Sequence, residues 1–465
     1  MSDLADYLQK LHSSNEYPLH MPGHKRTPFL PEFASAYAMD ITEIEGSDNL
    51  YEAEGILKDA MERAAKVYGA HETMFLVNGS TVGLLSAITG MTNKGDTILM
   101  ARNCHKAVYH AVELRELRTK YVYPKKWKDY DIAGQVTLED IKEEVEENPG
   151  VRLVVITSPT YEGIVSPIRE IAAYLHEKKI PLLVDEAHGA HFPFSDKFPE
   201  SAVAAGADVV IQSMHKTLPV FTQCALMHLS KEAPNRDKIK KYVSYYQTSS
   251  PSYLFMASMD AVIAKLEKYG EGLWNDFFAN RNAFMESVRK LRHIKVLDCA
   301  QTSDFVKMDP GKVVIYVKNA SIHGKDLQNG LLKAYNIQLE MACAHYVLAI
   351  FTMCDAKEGW SRLADALLEI DKTLENVQED VFTQEIHPSV QMTVAEATAC
   401  EWEAVELEKA KNRISAGYIN LYPPGIPMIV PGEVFTKELI EEIKHCKAIN
   451  LHVQGFEEGC VRVLK

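Results

Sequence analysis

The sequence predicts an α/β protein, with a large domain on a mostly parallel seven-stranded sheet covered by helices on both sides and then a smaller α+β domain. Three observations predict it. Between residues 51 and 230, short apolar runs that read as buried strands alternate with helical periods. Two of those runs, 181–184 and 207–211, lead into Asp185-Glu186-Ala187-His188 and Ser213-Met214-His215-Lys216, where a parallel sheet delivers its C-terminal edge. Beyond residue 291 the alternation gives way to scattered strands and helices of a different character.

Residues 1–50 lack a strong period and read as an N-terminal arm. The arm holds His20-Met21-Pro22-Gly23-His24-Lys25-Arg26, which is either an exposed bend or a set of cations presented to an anionic ligand. The large domain is placed at 51–290. A helix at 56–68 has Ile56, Ala60 and Ala64 on one face, and further helices are expected at 81–88, 105–117, 138–147 and 168–177. In the helix at 138–147, Leu138, Ile141 and Val145 form the stripe that should be buried, and its glutamates a solvated face. Strands are expected at 73–77, 97–100, 121–123, 153–157, 182–184, 209–211 and 225–229, and the chain from 231 to 290 reads as helical. The smaller domain, 291–465, is read with strands at 294–297, 312–317 and 346–352 and helices at 360–374 and 394–409. Residues 421–433 form a proline-dense element too rigid for helix.

A chain of 465 residues, 46% hydrophobic and 25% charged, has an ordinary globular composition with room for two or three domains. A net charge of −14 argues against nucleic acid or an anionic membrane as the main partner, because a phosphate-binding surface needs basic clusters. The run Lys125 to Lys128 is short. Eight cysteines without a Cys-x-x-Cys pair read as reduced thiols. The N-terminus has no basic region leading into an apolar stretch, and no run is long enough to span a bilayer, so a cytoplasmic protein is expected.

Asp185 and Lys216 are 216 − 185 = 31 residues apart, enough for a loop, a crossover and a strand. An acid at one strand end and a lysine at the next can hold opposite ends of one ligand. A pyridoxal phosphate site needs this pair, a lysine amine to bond the aldehyde and a carboxylate to keep the pyridine nitrogen protonated. Asp185-Glu186-Ala187-His188 also spells a helicase box, but both Gly-Lys pairs, Gly311-Lys312 and Gly324-Lys325, lack the Ser or Thr that a nucleotide-binding loop requires. A metal site at His188 and His191 lacks a third ligand at recognisable spacing. Asn78-Gly79-Ser80-Thr81 lies between a strand and a helix, where it serves as a plain helix cap or as a phosphate cradle. His105 follows another strand and can stack on a flat heteroaromatic ring.

The collinear series Met21-Pro22-Gly23-His24-Lys25, Asn78-Gly79-Ser80-Thr81, Arg102-Asn103-Cys104-His105-Lys106, Ser158-Pro159-Thr160-Tyr161, Asp185-Glu186-Ala187-His188, Ser213-Met214-His215-Lys216, Thr248-Ser249-Ser250-Pro251 and Tyr422 to Pro427 with Pro431-Gly432-Glu433 resembles the signature of the ornithine/lysine/arginine decarboxylases. The resemblance covers nearly the whole chain. It implies the pyridoxal-phosphate-dependent transferase-like architecture of fold type I and decarboxylation of a basic amino acid to the corresponding amine and carbon dioxide. At matching positions it implies Lys216 as the cofactor-bonding lysine, Asp185 as partner of the ring nitrogen, His105 stacked on one ring face and Ala187 on the other. It further implies Ser80, Thr81, Ser213 and His215 at the phosphate, helped by Thr248 or Ser249 of a second subunit. His188 would lie near the substrate, and Glu433 is a candidate for its basic end. Lys216 or His188 would protonate the substrate carbon after carbon dioxide leaves.

Longer members of the family carry a receiver-like domain before the Pro-Gly-His-Lys segment. Only about twenty residues precede it here, which implies a short form that assembles as a dimer or a dimer of dimers. Some members have Trp at the position of His188. Two other readings stand beside this one: a transaminase or other lyase on the same cofactor, and a cofactor-free regulatory paralogue, against which the intact Lys216 and Asp185 argue.

Overall fold

Strands that carry valine, isoleucine and leucine without polar interruption are strands buried on both faces, and they form the centre of the sheet. The computed structural model describes residues 3–127, 130, 132–298, 307–377, 386–422 and 425–465; Lys128 of the basic run and Pro423-Pro424 of the proline-dense element lie outside the described residues. The strands of the large sheet are β1 (Glu72–Leu76), β2 (Thr97–Ala101), β3 (Arg118–Val122), β6 (Val151–Thr157), β7 (Leu182–Asp185), β8 (Val209–Gln212) and β9 (Ala225–Leu229), and a small hairpin pairs β4 (Lys126–Trp127) with β5 (Ile132–Ala133). The sheet order is β1-β9-β8-β7-β6-β2-β3. β2 runs parallel to β3 and β6, and β7 to β8, while β9 is antiparallel to both β8 and β1, so the sheet is mostly parallel as expected.

The chain divides into two compact units, residues 1–91 with 168–274 and residues 92–167 with 275–465. In the first unit the core is the apolar run of β7, β8 and β9, with Leu182, Leu183, Val184, Val209, Ile211 and Leu226 all buried. The helix Gly79–Met91 packs on β8 and on the helix Arg236–Tyr246. Its glycines allow that approach: a Cβ on Gly90 would stand 2.7 Å from the Ile239 Cα, and one on Gly83 would stand 2.8 Å from Leu76 Cδ1. Close packing there fixes the first turn of the helix, which bears Ser80.

The arm also belongs to this unit and corrects the sequence reading. Asp3–Ser13 is a helix with Leu4, Leu8 and Leu11 buried. Its period extends over only three leucines before Pro18, Pro22 and Gly23 interrupt it, too short a run to stand out over fifty residues. Arg63 ties the helix down by bridging Asp3 at 2.7 Å and the fully buried Asp260 at 2.6 Å.

The second unit holds β2, β3 and β6 with the helices Lys106–Arg115 and Leu138–Glu147. Ile141 and Val145 of the expected stripe are buried, and Leu138 is half-buried. A four-stranded antiparallel sheet runs through Lys295–Val296, Lys312–Tyr316, Tyr346–Ile350 and Met341–Ala342. Two smaller sheets follow, Ile426–Ile429 with Ile419–Leu421 and Val453–Gln454, and Trp402–Glu406 with Cys460–Leu464.

That last pair overturns the helix expected at 394–409. The capping box of Thr393 and Glu396 does start a helix, but it stops at Ala399, and Trp402–Glu406 is an edge strand that pairs antiparallel with the chain terminus. Helix-favouring residues there give way to a partner almost sixty positions away, a tertiary override that no local period reveals. No helix among the described residues is long and apolar enough to cross a membrane.

Candidate active site

In the first unit two parallel strand ends lie side by side. β7 ends at Asp185, and the amide of Glu186 extends the ladder by donating to Ile211 O at 2.9 Å. Asp185 is 3% exposed and accepts from Ala187 N at 3.2 Å. Burial pushes its carboxyl above the usual range, and the charge of Lys216 works against that shift. Ala187 is buried directly beyond.

β8 runs into Ser213, which precedes a single helical turn, Met214–Thr217. That turn presents Lys216, whose Nζ lies 3.1 Å from His188 Nε2. An ammonium can only donate, so His188 accepts through Nε2 and keeps its ring proton on Nδ1. Lysine, histidine and buried acid thus come from two adjacent strand ends, as the motif spacing predicts.

Ser213 does not cap the turn with its side chain; its hydroxyl meets that of Ser80 at 2.6 Å. Ser80 sits in the first turn of the helix Gly79–Met91, after Gly79 at φ +73°, whose amide donates to Gln223 O at 2.9 Å. Two hydroxyls and the positive end of a helix therefore share one corner. Thr81, Thr248 and Ser249 are exposed. The Thr248 amide donates to Asn78 Oδ1 at 3.1 Å and its carbonyl accepts from Tyr51, which pins that loop beside the same turn. His215 donates through Nδ1 to the Cys224 carbonyl at 3.0 Å, leaving Nε2 as its second face, and burial lowers its pKa.

The other two expected site residues, His105 and Glu433, belong to the second unit. His105 caps the helix Lys106–Arg115, its Nδ1 accepting from Ala107 N at 3.2 Å, which fixes the plane of the ring. A Cβ on Gly425 would stand 3.7 Å from that imidazole. Glu433 is fully buried, not displayed on a proline-rich loop. Its Oε2 accepts from Arg102 Nη2 at 3.0 Å and from Val430 N at 2.9 Å, while its Oε1 is buried with no hydrogen-bond partner among the described residues. Burial raises the Glu433 pKa and Arg102 opposes the rise.

Arg102, quoted in the motif series without a role, is the ion-pair partner of Glu433 that sequence reading did not supply. It is 8% exposed and also donates to Tyr109 Oη at 3.0 Å and to Pro427 O at 2.7 Å. The available signal was a cation running straight on from the apolar strand Thr97–Ala101, where a charge needs a buried partner.

Comparison with known proteins gives the family. The model of the Orn/Lys/Arg decarboxylase major domain matches residues 2–312, and that of the C-terminal domain matches residues 375–461. An arginine decarboxylase of Bacillus subtilis is 31% identical over 98% of this chain and 96% of its own length. The uncharacterized protein YaaO of the same organism is 35% identical over 95% of this chain and 93% of its own. The crystal structure of the Francisella novicida lysine decarboxylase LdcF superposes with a TM-score of 0.84 at 20% identity, over all of this chain and 81% of that one, and shares the fold. With the major-domain model spanning well over half its length and a relative above 30% identity along almost all of it, the chain belongs to the Orn/Lys/Arg decarboxylase family.

Proposed function

We propose that the chain is a pyridoxal-phosphate-dependent decarboxylase of a basic amino acid, with arginine the first candidate and lysine the second. The observation that supports it most is the 3.1 Å approach of Lys216 Nζ to His188 Nε2, with the buried Asp185 carboxylate feeling the same ammonium. Arginine stands first because the arginine decarboxylase relative is 31% identical over nearly the whole chain, whereas a lysine decarboxylase relative is 22% identical.

The residues present fit the cofactor: an amine for an aldehyde, a buried anion for a basic ring nitrogen, and a corner of paired hydroxyls and helix N–H groups for a phosphate. When bound, pyridoxal phosphate supplies an aldehyde that bonds the substrate amine and a ring that takes up the electron pair left by departing carbon dioxide. Lys216 would hold the cofactor through that aldehyde, with its amine in reach of His188 for proton transfer. Asp185 would face the ring nitrogen and favour its protonated form, an effect that the low dielectric around the carboxylate strengthens.

Ser80, Thr81 and Ser213 would hold the phosphate. His215 can join them only by taking a second proton on Nε2, because its Nδ1–H is committed to Cys224. Ala187 leaves one ring face uncrowded, and the fixed plane of His105 suits it to stacking. A proton can pass between Lys216 and His188 across their 3.1 Å contact, so either can return it to the substrate carbon. Glu433 Oε1 is the acceptor that remains for the basic end of the substrate.

Because carbon dioxide leaves uncharged, the reaction has no use for a buried arginine clamped on the carboxylate. Arg362 donates to Tyr335 O at 2.7 Å, Arg413 pairs with Glu403 at 2.7 Å, Arg462 pairs with Glu457, and the buried Arg102 is spent on Glu433. We also propose a homodimer or dimer of dimers, in which the exposed Thr248 and Ser249 serve a second subunit, and a cytoplasmic, reducing setting, in keeping with seven free cysteines among the described residues.

The purified protein, supplied with cofactor, is expected to release carbon dioxide and the matching amine from at least one of arginine, lysine and ornithine. No amine from any of the three removes the reading, and a keto acid in place of carbon dioxide replaces it with transamination. At the phosphate corner, Ser80→Ala should weaken pyridoxal phosphate binding by about ten- to hundredfold, the worth of a hydrogen bond to a charged group. Equilibrium dialysis checks it.

A further inference from the structure

Behind the two loaded strand ends lies a row of polar side chains buried in the first unit. Thr73 Oγ1 meets His228 Nδ1 at 2.8 Å, His228 Nε2 meets Gln212 Oε1 at 3.1 Å, and Gln212 Nε2 meets Glu186 Oε2 at 2.7 Å. Glu186 Oε1 also accepts from Ala202 N at 2.7 Å. All four side chains are at most 3% exposed. The row crosses β1, β9, β8 and the end of β7; Thr73 and His228 are direct cross-strand partners, and Gln212 lies two positions along β8 from the partner of His228.

Two of its members are chain neighbours of the site: Glu186 follows Asp185, and Gln212 precedes Ser213. Successive residues of a strand point to opposite faces, so the row grips the back of the same peptide units whose front carries the chemistry. We propose that Thr73, His228, Gln212 and Glu186 act as positioning residues for the reaction, holding the strand ends that bear Asp185 and Ser213 in one register. The inference rests on the pyridoxal phosphate reading of the site.

The donors run in one direction. With the Gln212 nitrogen on Glu186, its oxygen faces His228, so Nε2 carries the ring proton and Nδ1 accepts from Thr73. Burial lowers the His228 pKa to about 3, which keeps the ring neutral. Burial pushes the Glu186 carboxyl up to about 8; a proton taken up on Oε2 would turn the Gln212 amide over and reverse every donor along the row. The four groups therefore act as one unit. An apolar row of similar volume would stabilise the sheet as well or better. What the polar row adds is registry: a one-residue slip of a strand would leave several buried polar groups without partners.

The test compares wild-type holoenzyme with His228→Leu, which removes both bonds, and His228→Gln, which restores a donor and an acceptor. For His228→Leu we expect kcat to fall about ten- to hundredfold, the cost of misplacing a reacting group by about an ångström, with KM within about twofold. The pH at which the visible absorbance of the lysine-bound cofactor changes should also move, and His228→Gln should recover most of both.

If His228→Leu does not fold, Thr73→Val at the far end of the row decides, with a smaller fall in kcat and the same direction of spectral displacement expected. A folded His228→Leu or Thr73→Val with wild-type kcat and spectrum overturns the proposal. So does a fall in kcat with an unmoved spectrum, which would make the row merely structural. A wild-type protein that takes up no cofactor fails the site reading itself and takes the row with it, whereas a competent wild type with indifferent variants sinks the row alone.

Discussion

Lys216→Ala should fold as the wild type does and lose amine production by about 10⁴-fold or more, since in the proposed role one side chain both tethers the reactive aldehyde and takes part in proton transfer. The residue is only half-buried on a single helical turn between two strands, so truncation leaves no large cavity. Borohydride treatment of the wild type should fix pyridoxal phosphate covalently on the peptide containing Lys216, as read by mass spectrometry, and the variant should show no such adduct. An adduct at another lysine, or full activity in the variant, would dismiss the assignment. Far-ultraviolet circular dichroism of the variant separates lost chemistry from lost fold.

Asp185→Asn should cost about 10²–10³-fold in kcat, the scale of removing one buried group that stabilises developing charge. The same substitution should act in the opposite sense on stability without cofactor. Burial raises the Asp185 pKa in the folded protein above its unfolded value. The folded state therefore binds that proton more tightly, and stability falls as pH rises from the unfolded carboxyl value through the folded one. Asparagine carries no such penalty. Cofactor-free Asp185→Asn should melt higher than the wild type at neutral pH, and the two should converge as pH falls below the unfolded carboxyl range. Thermal melts of the cofactor-free proteins across that window check the sign. A variant that is less stable at neutral pH would mean that the Asp185 charge is better paired than its burial implies.

The site was legible in the sequence where its residues sit at ends of strands, because the position of a buried strand is written locally. The run Leu182-Leu183-Val184 announces the edge on which Asp185 stands, and Val209-Val210-Ile211 does so for the turn bearing Lys216. All seven strands of the large sheet were readable for the same reason. Contacts between distant segments were not. Arg102 and Glu433 pair across 331 positions, and nothing near either residue names the other. The row from Thr73 to Glu186 is opaque in the same way: each member reads alone as a polar residue beside a strand, and only the sheet order brings the four together. Trp402–Glu406 shows the complementary failure, a segment that local preference reads as helix and a distant partner draws into a strand.

The Arg102–Glu433 pair bears on how a carboxylate can tell one cation from another. Its positive counterpart is already in place at 3.0 Å, so the pair projects little net attraction outward and keeps a single oxygen, Oε1, with lone pairs to offer. A visitor to such an oxygen gains from the reach and angle of its own N–H bonds far more than from the size of its charge. With Glu433 at the basic end of the substrate, as proposed, choice between a planar guanidinium and a compact ammonium becomes a matter of fit.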